Sequence, residues 1–471
     1  MSIFENKTVK IPLELKKVNE IFENAGFKAF LVGGAVRDML RNKTVHDFDL
    51  ATNASPQQVM KLFKRVIPTG IAHGTVTIHI FGLELETTTF RTESSYSDGR
   101  HPDNVKFAGS IEEDLSRRDF TMNAIAANLT DGTIIDPFDG KSDIKNKIIR
   151  TVGNPFDRFN EDGLRPVRAI RFASQLGFKI EENTFLALKN ENILEKVKKV
   201  SVERFREEFC KILQCEKPSS GLKLLEESKI LSVFIPEFDV CRGCLQQDDR
   251  GFHEFDVADH LFYACDGAPK DNLIVRLAAF YHDIGKPEAR STEIVNGKQR
   301  IHFHKHEIYS AEKCKTSMTK LKFSNNEIEK VVHLVREHMF FYESSWSDAS
   351  VRRFIIRTGT ENIENLMLLR LADIYGMHNC PLVEGSATWN NLLELKNRII
   401  NEENKKNAFS LQNMALNGKD LIEIGIPQGK IIGQILNELF ETITDSPGMN
   451  EKEKLLVLAK NIYEQKYKVL K

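Results

Sequence analysis

Several features are scarce in this sequence, and each absence narrows the class of protein. No apolar run reaches the roughly 18 to 20 residues that span a bilayer, so no membrane segment is expected. The formal net charge of -1 is weak evidence against RNA binding, and any such contact must come from local clusters of Lys and Arg. The seven cysteines are an odd number, and the N-terminal residues do not resemble a secretion signal. Cys241 and Cys244 form a single CxxC pair and lack the second pair that a zinc site requires. Reduced thiols in a cytoplasmic protein are therefore expected.

The length and the hydrophobic pattern predict several domains of different character. A chain of 471 residues exceeds one ordinary core. From residue 28 to 129, short β-rich runs alternate with turns and helical stretches, which indicates an α/β or α+β unit. From about residue 160 onward the apolar residues recur at helical spacing, so the remainder is predicted to be nearly all helix. Prolines and a polar run between 216 and 252 predict a loop-rich joint.

The run FLVGGAVRDML contains a glycine pair, Gly33 and Gly34, between an apolar strand and a helix. Backbone N–H groups at such a turn can face an anionic triphosphate, and Arg37 adds a cation. The alternative is a tight connection without a ligand.

A second signal is the acidic strand HDFDLAT, which follows the glycine turn. Asp47 and Asp49 are two residues apart, so both point to one face of an extended chain. Paired carboxylates beside a triphosphate cradle are typical of Mg²⁺-dependent nucleotidyl transfer. The alternative is a turn with two solvated aspartates, although Asp is unfavourable in strands.

These residues lie in a longer series of segments that resembles the class II tRNA nucleotidyltransferases, which include CCA-adding enzymes and bacterial poly(A) polymerases. The segments occur in family order over about 200 residues: LVGGAVRD, DFDLAT, GIAHGTVTI, TTFRTESSYSDGRHP, EEDLSRRDFTMNAIA, IIDPFDG, RTVGNPFDRFNEDGLRPVRAIRFASQLGF and SVERFREEF. The resemblance implies an α+β protein with a polymerase-β-like nucleotidyltransferase head and a mixed sheet, followed by an all-helical neck, an HD body and a tail. The predicted boundaries are 1–140 for the head, 141–235 for the neck, 236–400 for the HD domain and 401–471 for the tail.

The resemblance also implies roles for particular residues of the head. Asp47 and Asp49 would hold Mg²⁺, and Glu86 would be a third catalytic carboxylate unless it is merely solvated. The residues implied in nucleotide binding are Gly33, Gly34, Arg37, Asp38, Arg118, Asp119 and Asn123. A guanidinium suits the spread charge of a phosphate. The alternative for Arg117 and Arg118 is a charged helix cap on the surface.

In the neck, charged residues recur at three-residue spacing and are predicted to share one face of a helix. They are Asp162, Arg165, Arg168 and Arg171, preceded by Glu161. A carboxylate and a guanidinium can mimic a complementary base edge, and the resemblance gives this role to Asp162 and Arg165, with Arg168 and Arg171 near the nucleotide. The alternative is an ion-paired surface helix. Pro166 departs from the family pattern, and it either starts the helix or shifts the position of Asp162.

Histidines and aspartates in the second half form an ordered set that resembles the HD phosphohydrolases, which are helical and bind divalent metals. The set is His260, His282, Asp283, His306, His338 and Asp373. By that resemblance Asp283 bridges or holds a metal of unknown identity. The histidines at 253, 302 and 304 have no predicted role. Some relatives carry such a domain with phosphatase or 2′,3′-cyclic phosphodiesterase activity.

The sequence therefore predicts a tRNA nucleotidyltransferase that adds C, C and A to the tRNA acceptor end from CTP and ATP, with a phosphohydrolase side activity. By the same resemblance, the loop containing Asp98 and Arg100 is full length, whereas family members that add only CC have a shortened loop, so a CC-only enzyme is disfavoured. In the tail, Lys419 and Lys430 are candidates for phosphate contacts. Alternatives are an A-adding enzyme, a poly(A) polymerase, an HD phosphohydrolase with an RNA-binding head, and a non-catalytic RNA scaffold.

Overall fold

The computed structural model describes residues 7–71, 74–94, 104–248, 250–251, 253–405 and 410–467. The loop residues Asp98 and Arg100 lie outside these ranges. The chain forms two compact units, residues 1–239 with 320–322, and residues 240–319 with 323–471. The predicted division into four domains stays a prediction. Among the described helices, none has the length and apolar character that crossing a membrane requires.

The first unit contains a seven-stranded sheet in the order β3-β4-β5-β2-β1-β8-β9. Strands β2 and β5 are parallel and the other neighbours are antiparallel, so the sheet is mixed, as predicted. The strands of the first unit, including the separate pairs β6-β7 and β10-β11, are β1 Ala29–Val32, β2 Phe48–Thr52, β3 Val66–Gly70, β4 Thr75–Ile80, β5 Leu83–Thr89, β6 Arg91–Ser94, β7 Asn104–Phe107, β8 Ala126–Asn128, β9 Ile134–Ile135, β10 Ile148–Ile149 and β11 Lys179–Ile180.

The centre of this sheet follows from its hydrophobic pattern. Strand β1 is apolar throughout and all four of its side chains are buried. In β2, the side chains of Phe48 and Leu50 are buried while Asp49 between them is exposed. The sheet therefore presents one carboxylate from an otherwise buried strand.

Helices cover the sheet and continue into the neck. Those around the sheet are α1 Leu13–Asn24, α2 Gly34–Leu40, α3 Pro56–Leu62, α4 Ile111–Ser116 and α5 Gly140–Asn146, with a short 3₁₀ helix at Thr121–Asn123. The neck helices are α6 Pro155–Glu161, α7 Leu164–Leu176, α8 Glu182–Leu188, α9 Glu191–Val197, α10 Val202–Leu213, α11 Pro218–Glu227 and α12 Ile230–Phe234, followed by a 3₁₀ helix at Pro236–Cys241. The predicted loop-rich joint is wrong over its first half, because Pro218 and Pro236 each begin a helix, where a missing N–H costs nothing.

Over its described residues the second unit is helical, as predicted, apart from one β-hairpin. Its helices are α13 Val257–Gly267, α14 Leu273–Tyr281, α15 Lys286–Ala289, α16 His306–Lys320, α17 Asn325–Glu337, α18 Asp348–Thr358, α19 Ile363–His378, α20 Ala387–Asn404, α21 Gly418–Glu423, α22 Lys430–Asp445 and α23 Lys452–Ile462. Shorter turns are at Thr360–Asn362, Leu411–Asn413, Pro447–Met449 and Tyr463–Tyr467.

The hairpin, β12 Arg290–Val295 and β13 Lys298–Phe303, was not predicted from the sequence. Asn296 and Gly297 connect its strands, with φ of 52° and 76°. Two residues with positive φ are the signature of a tight hairpin turn, and Asn-Gly is its preferred sequence. The dipeptide was the signal that could have found this element.

Candidate active sites

The glycine pair positions the first candidate site. Gly33 has φ of 69°, and a Cβ atom there would lie 2.9 Å from Nη1 of Arg118. Helix α2 begins at Gly34, and the buried Arg37 on it donates from Nη1 to Oδ1 of Asn123 at 2.8 Å. The turn therefore brings two guanidinium groups to the N-terminal end of a helix. Asp38 forms an ion pair with Arg37 at 2.8 Å.

Two carboxylates lie side by side on adjacent strands next to this turn. Asp49 of β2 is in register with Glu86 of β5, and Asp47 immediately precedes β2. Although Asp49 is open to solvent within the site, the surrounding protein atoms partly desolvate its carboxylate and raise its pKa. The negative charge of Glu86 raises the pKa further and Asp47 adds to the effect, while Arg118 opposes it. Neighbouring carboxylates of this kind suit a divalent cation, which removes their mutual repulsion.

A cavity of about 770 Å³ unites most of the predicted residues of the first unit. Its lining includes eleven of them: Gly33, Gly34, Arg37, Asp49, Glu86, Arg118, Asp119, Asn123, Asp162, Arg165 and Arg168. Within the described residues, three predicted members do not line it: Asp38, Asp47 and Arg171. Arg171 instead pairs with Glu208 at 2.5 Å, and its guanidinium lies 3.7 Å from the ring centre of Phe172.

A hydrogen-bond network crosses this cavity and fixes its polar groups. Arg168 donates from Nε and Nη2 to Oδ2 of Asp119 at 2.9 and 2.6 Å, and the amide of Asn123 donates to the other oxygen at 3.2 Å. Burial raises the pKa of Asp119, but Arg168 and Asn123 more than offset this and lower it to about 2. Asp119 is therefore an anion that orients neighbouring donors.

The arginine pair on the far side of the cavity is held by a residue that the sequence analysis did not identify. Asp114 is buried and accepts from Arg117 at 2.7 Å and from Arg118 at 3.2 Å. Arg118 consequently turns toward the cavity, contrary to the alternative of a surface cap. The three-residue spacing from Asp114 on α4 to Arg117, which directly follows the helix, was the available signal.

The selecting segment of the neck differs from the single helix that was predicted. Helix α6 ends at Glu161, Asp162 is extended with φ of -138° and ψ of 113°, and α7 begins at Leu164. A Cβ atom on Gly163 would lie 2.4 Å from the backbone oxygen of Lys196, so close packing against α9 requires glycine at the break. Pro166 falls in the first turn of α7, where its missing N–H has no helical partner.

At this break, the side chain of Asp162 is held by a residue of helix α10. Oδ1 accepts from the N–H of Leu164 at 2.9 Å and from Nη1 of Arg204 at 3.2 Å, and Oδ2 accepts from Nη2 of Arg204 at 2.8 Å. Arg165 pairs with Glu161 and donates to the carbonyl of Arg158 at 3.0 Å. Arg204 also lines the cavity and was missed, although it lies in the quoted segment SVERFREEF.

A second candidate site lies in the second unit and contains four predicted ligands within 4.8 Å of one another: His260, His282, Asp283 and Asp373. Nε2 of His260 lies 3.1 Å from Oδ2 of Asp283 and 3.3 Å from Oδ1 of Asp373. All four side chains are buried. Imidazole and carboxylate groups converging in this way fit a divalent metal ion.

The other two predicted ligands form a second group around the same aspartate. Nε2 of His306 lies 3.0 Å from Oδ1 of Asp283, and Nε2 of His338 lies 3.5 Å from it. The two oxygens of Asp283 thus face different groups, so Asp283 would serve both groups if each held a divalent ion. His282, His306 and His338 direct Nδ1 at backbone carbonyls 2.6 to 2.9 Å away, which leaves Nε2 available as a ligand.

Two further side chains adjoin these groups. Nζ of Lys286 lies 2.6 Å from Oδ2 of Asp283 and donates to Gln246 at 2.6 Å. Burial raises the pKa of Asp283, but Lys286 and the histidines lower it well below its usual range. The ring of His253 packs against His260 with centroids 5.1 Å apart, and burial lowers the pKa of His253 to about 2. Residues 302 and 304 lie on and just after β13.

Comparison with known proteins decides the family. The chain is 35% identical over 464 residues to the CCA-adding enzyme of Ligilactobacillus salivarius, covering 97% of this chain and 98% of that protein. It belongs to the family of CCA-adding enzymes. The resemblance predicted from the sequence is thereby confirmed. A second family member, from Pediococcus pentosaceus, is 50% identical over 225 residues, or 48% of this chain and 56% of that enzyme.

Individual segments of the chain match three domain families. Residues 29–150 match the Poly A polymerase head domain, residues 177–241 the probable RNA and SrmB-binding site of polymerase A, and residues 250–377 the HD domain. The second site lies within the HD match, whereas the first site combines residues of the head match with neck residues from the unmatched stretch 151–176 and from the second match.

Solved structures of CCA-adding enzymes share the fold. The Bacillus stearothermophilus enzyme in complex with CTP is 27% identical, with a TM-score of 0.72 and coverage of 97% of this chain and 98% of that chain. The Thermotoga maritima enzyme complexed with tRNA has a TM-score of 0.55 at 18% identity, with coverage of 98% and 97%, and this likeness concerns the fold alone.

Proposed function

We propose that the first site adds C, C and A to the 3′ end of tRNA from CTP and ATP, with amino-acid side chains in place of a nucleic-acid template. The observation that carries the proposal is the register of Asp49 beside Glu86, in one cavity with the Gly33 turn and Asp162. The family membership supports it.

In this proposal the triphosphate lies at the glycine turn. Arg37 and Arg118 neutralise its phosphates, and the N–H groups at the start of α2 face it. Asp47, Asp49 and Glu86 would hold Mg²⁺, which supplies charge neutralisation at the reacting phosphate when bound. The tRNA 3′-oxygen forms a bond to the α-phosphorus as the bond to the β-phosphate oxygen breaks and pyrophosphate leaves.

Base selection would use the remaining hydrogen-bonding capacity of the Asp162 carboxylate. A carboxylate has about four acceptor positions, and the N–H of Leu164 and the two donors of Arg204 occupy three. One position on Oδ2 is left for the exocyclic amine that C and A share and that U and G lack at the corresponding place. Arg165 would donate to a ring acceptor, as the sequence predicted.

The deciding experiment uses tRNA that ends at its discriminator base, with Mg²⁺ and labelled CTP or ATP. Incorporation of two C residues and then one A is expected. Incorporation of A without C would identify an A-adding enzyme, and an unbroken run of A would identify a poly(A) polymerase.

We further propose that the second site is a metal-dependent phosphohydrolase acting on phosphate esters at RNA 3′ ends. The two ligand groups that share Asp283 support it. His260, His282, Asp283 and Asp373 would hold one divalent ion, and Asp283, His306 and His338 a second, which would polarise the phosphate when bound. Release of inorganic phosphate or opening of a 2′,3′-cyclic phosphate, dependent on added metal, tests this activity. Absence of both would contradict it.

A further inference from the structure

Two segments adjoin the His306–His338 pair of the second site along the chain, one cationic and one with exposed apolar side chains. We infer that together they bind the last nucleotides of a single-stranded RNA, so that the second site acts on an oligonucleotide 3′ end in preference to a mononucleotide. The inference rests on the proposed phosphohydrolase and specifies its substrate class.

The cationic segment is the β12-β13 hairpin with the residues that follow it. Residues 290–305 contain four Lys or Arg and one acidic residue, in a chain whose net charge is -1. This is the local clustering that phosphate binding requires and that the total charge conceals.

Part of this charge lies on one face of the hairpin, where Lys298 is exposed and Arg300 is half-buried. Successive residues of a strand point to opposite faces, so Lys298, Arg300 and His302 share one face. On the other face Ile301 is buried and Ile294 is 79% exposed, so the hairpin is packed toward its His306 end and open to solvent toward its turn. The acidic residue of the hairpin, Glu293, lies 2.8 Å from Nε2 of His302.

The end of the hairpin is fixed directly to the metal-ligand groups. Nδ1 of His306 donates to the carbonyl oxygen of Phe303, the last residue of β13, at 2.7 Å. Its Nε2 lies 3.2 Å from Nε2 of His338. A phosphate held by these histidines therefore lies beside the end of β13.

The apolar segment begins at the residue after His338. Met339 is 54% exposed and Phe341 is 70% exposed, while Phe340 and Tyr342, which alternate with them, are buried. An exposed aromatic ring beside a phosphate site is the usual platform for an unpaired base, and each such stack contributes about 1–3 kcal/mol. Charge complementarity with the hairpin favours RNA as the occupant over an apolar protein surface.

The length of β13 sets the size of the substrate. Lys298 is five residues from Phe303, which is about 16 Å along an extended strand, and Arg300 is about 10 Å away. One nucleotide bound at His306 has no second phosphate to reach these positions. A strand of several nucleotides does.

The test compares 2′,3′-cyclic AMP with a six-nucleotide RNA ending in a 2′,3′-cyclic phosphate, using the full chain with Mn²⁺ or Mg²⁺. Wild-type protein is expected to have a KM for the hexanucleotide at least about tenfold lower. The double variant Lys298→Gln/Arg300→Gln and, separately, Phe341→Ala are each expected to raise that KM by about tenfold and to leave the KM for cyclic AMP unchanged.

The matched control is Lys396→Gln/Lys460→Gln, which removes the same charge from exposed positions on α20 and α23 and is expected to change neither KM. Thermal unfolding followed by circular dichroism checks that each variant is folded. This inference alone would be overturned if wild-type protein hydrolysed both substrates with equal KM, or if the variants changed the KM for both substrates by the same factor. Hydrolysis of neither by wild-type protein would overturn the phosphohydrolase proposal and this inference with it.

Discussion

Arg204 holds Asp162 from a helix 42 positions further along the chain, through Nη1 to Oδ1 at 3.2 Å and Nη2 to Oδ2 at 2.8 Å. The planar guanidinium fixes both the position and the rotation of the carboxylate. Because Asp162 lies in the break between two helices, its own backbone does not fix it. Arg204 thus positions the carboxylate to which we assign base selection in the proposed function.

Arg204→Lys is expected to keep the positive charge but lose the two parallel hydrogen bonds. The kcat/KM for CTP and ATP should fall by about ten to a hundredfold, because a hydrogen bond to a charged group contributes about 1.5–3 kcal/mol. Incorporation of U and G should rise relative to C and A, measured with each labelled nucleotide. Lys211→Gln, on the exposed side of the same helix, should preserve selectivity. If Arg204→Lys lowers kcat/KM equally for all four nucleotides, Arg204 does not position the selecting carboxylate.

The two sites are expected to fail independently. Asp49→Asn should lower CMP and AMP incorporation by at least about a thousandfold, because it removes a metal-holding charge at the reacting phosphate, and should spare hydrolysis of a 2′,3′-cyclic phosphate. His282→Ala should give the reciprocal result. Both assays are run on each variant with the same divalent ion. Loss of both activities in either variant would contradict two separate sites.

Gly33→Ala is expected to disturb the cavity more than a comparable glycine substitution elsewhere. A left-handed conformation costs an alanine about 1–2 kcal/mol. The new methyl group would also lie only 2.9 Å from Nη1 of Arg118 and would push that guanidinium aside. Gly26→Ala provides the control, since Gly26 has φ of 78° and no atom within 4 Å of its ideal Cβ. Both variants should unfold at lower urea concentration, but only Gly33→Ala should raise the KM for CTP, by about tenfold. If Gly33→Ala and wild type had equal KM values for CTP, a role for the turn in nucleotide binding would be excluded.

Because Asp119 is anionic in the folded protein, the free energy of unfolding should depend on pH in the acidic range. Its pKa is lowered from 3.8 to about 2, so it contributes about 2 kcal/mol that is fully present above pH 4 and is lost as the pH falls toward 2. Asp119→Asn should therefore reduce the free energy of unfolding by about that amount at pH 7, and the difference from wild type should shrink between pH 4 and pH 2. Urea unfolding at several pH values measures it. The control Asp157→Asn, at an exposed position on α6, should have little effect on the free energy of unfolding. If the difference in unfolding free energy between Asp119→Asn and wild type persists at pH 2, the charge of Asp119 is not its cause.

Much of the first site could be predicted from local sequence because its geometry is set over short distances. The turn at Gly33 requires a residue that tolerates positive φ, and the alternation of Phe48, Asp49 and Leu50 places one carboxylate on the open face of a buried strand. The family resemblance added Glu86, and pairing of β2 with β5 puts it beside Asp49. The ligand set of the second site was likewise identified from residue types and their order.

Local pattern could not determine how distant side chains constrain one another. The spacing of Asp162, Arg165 and Arg168 predicted one helix, but contact of Gly163 with α9 breaks it, and only the packing of α10 beside α7 brings Arg204 to the carboxylate. The division of Asp283 between two histidine groups likewise requires helices whose residues are far apart in sequence. Short-range sterics and hydrogen-bonding preferences are written in neighbouring residues, so the sequence by itself determined the turn, the acidic strand and the ligand types. Which donor meets which acceptor depends on the packing of whole helices, and that only the tertiary structure decided.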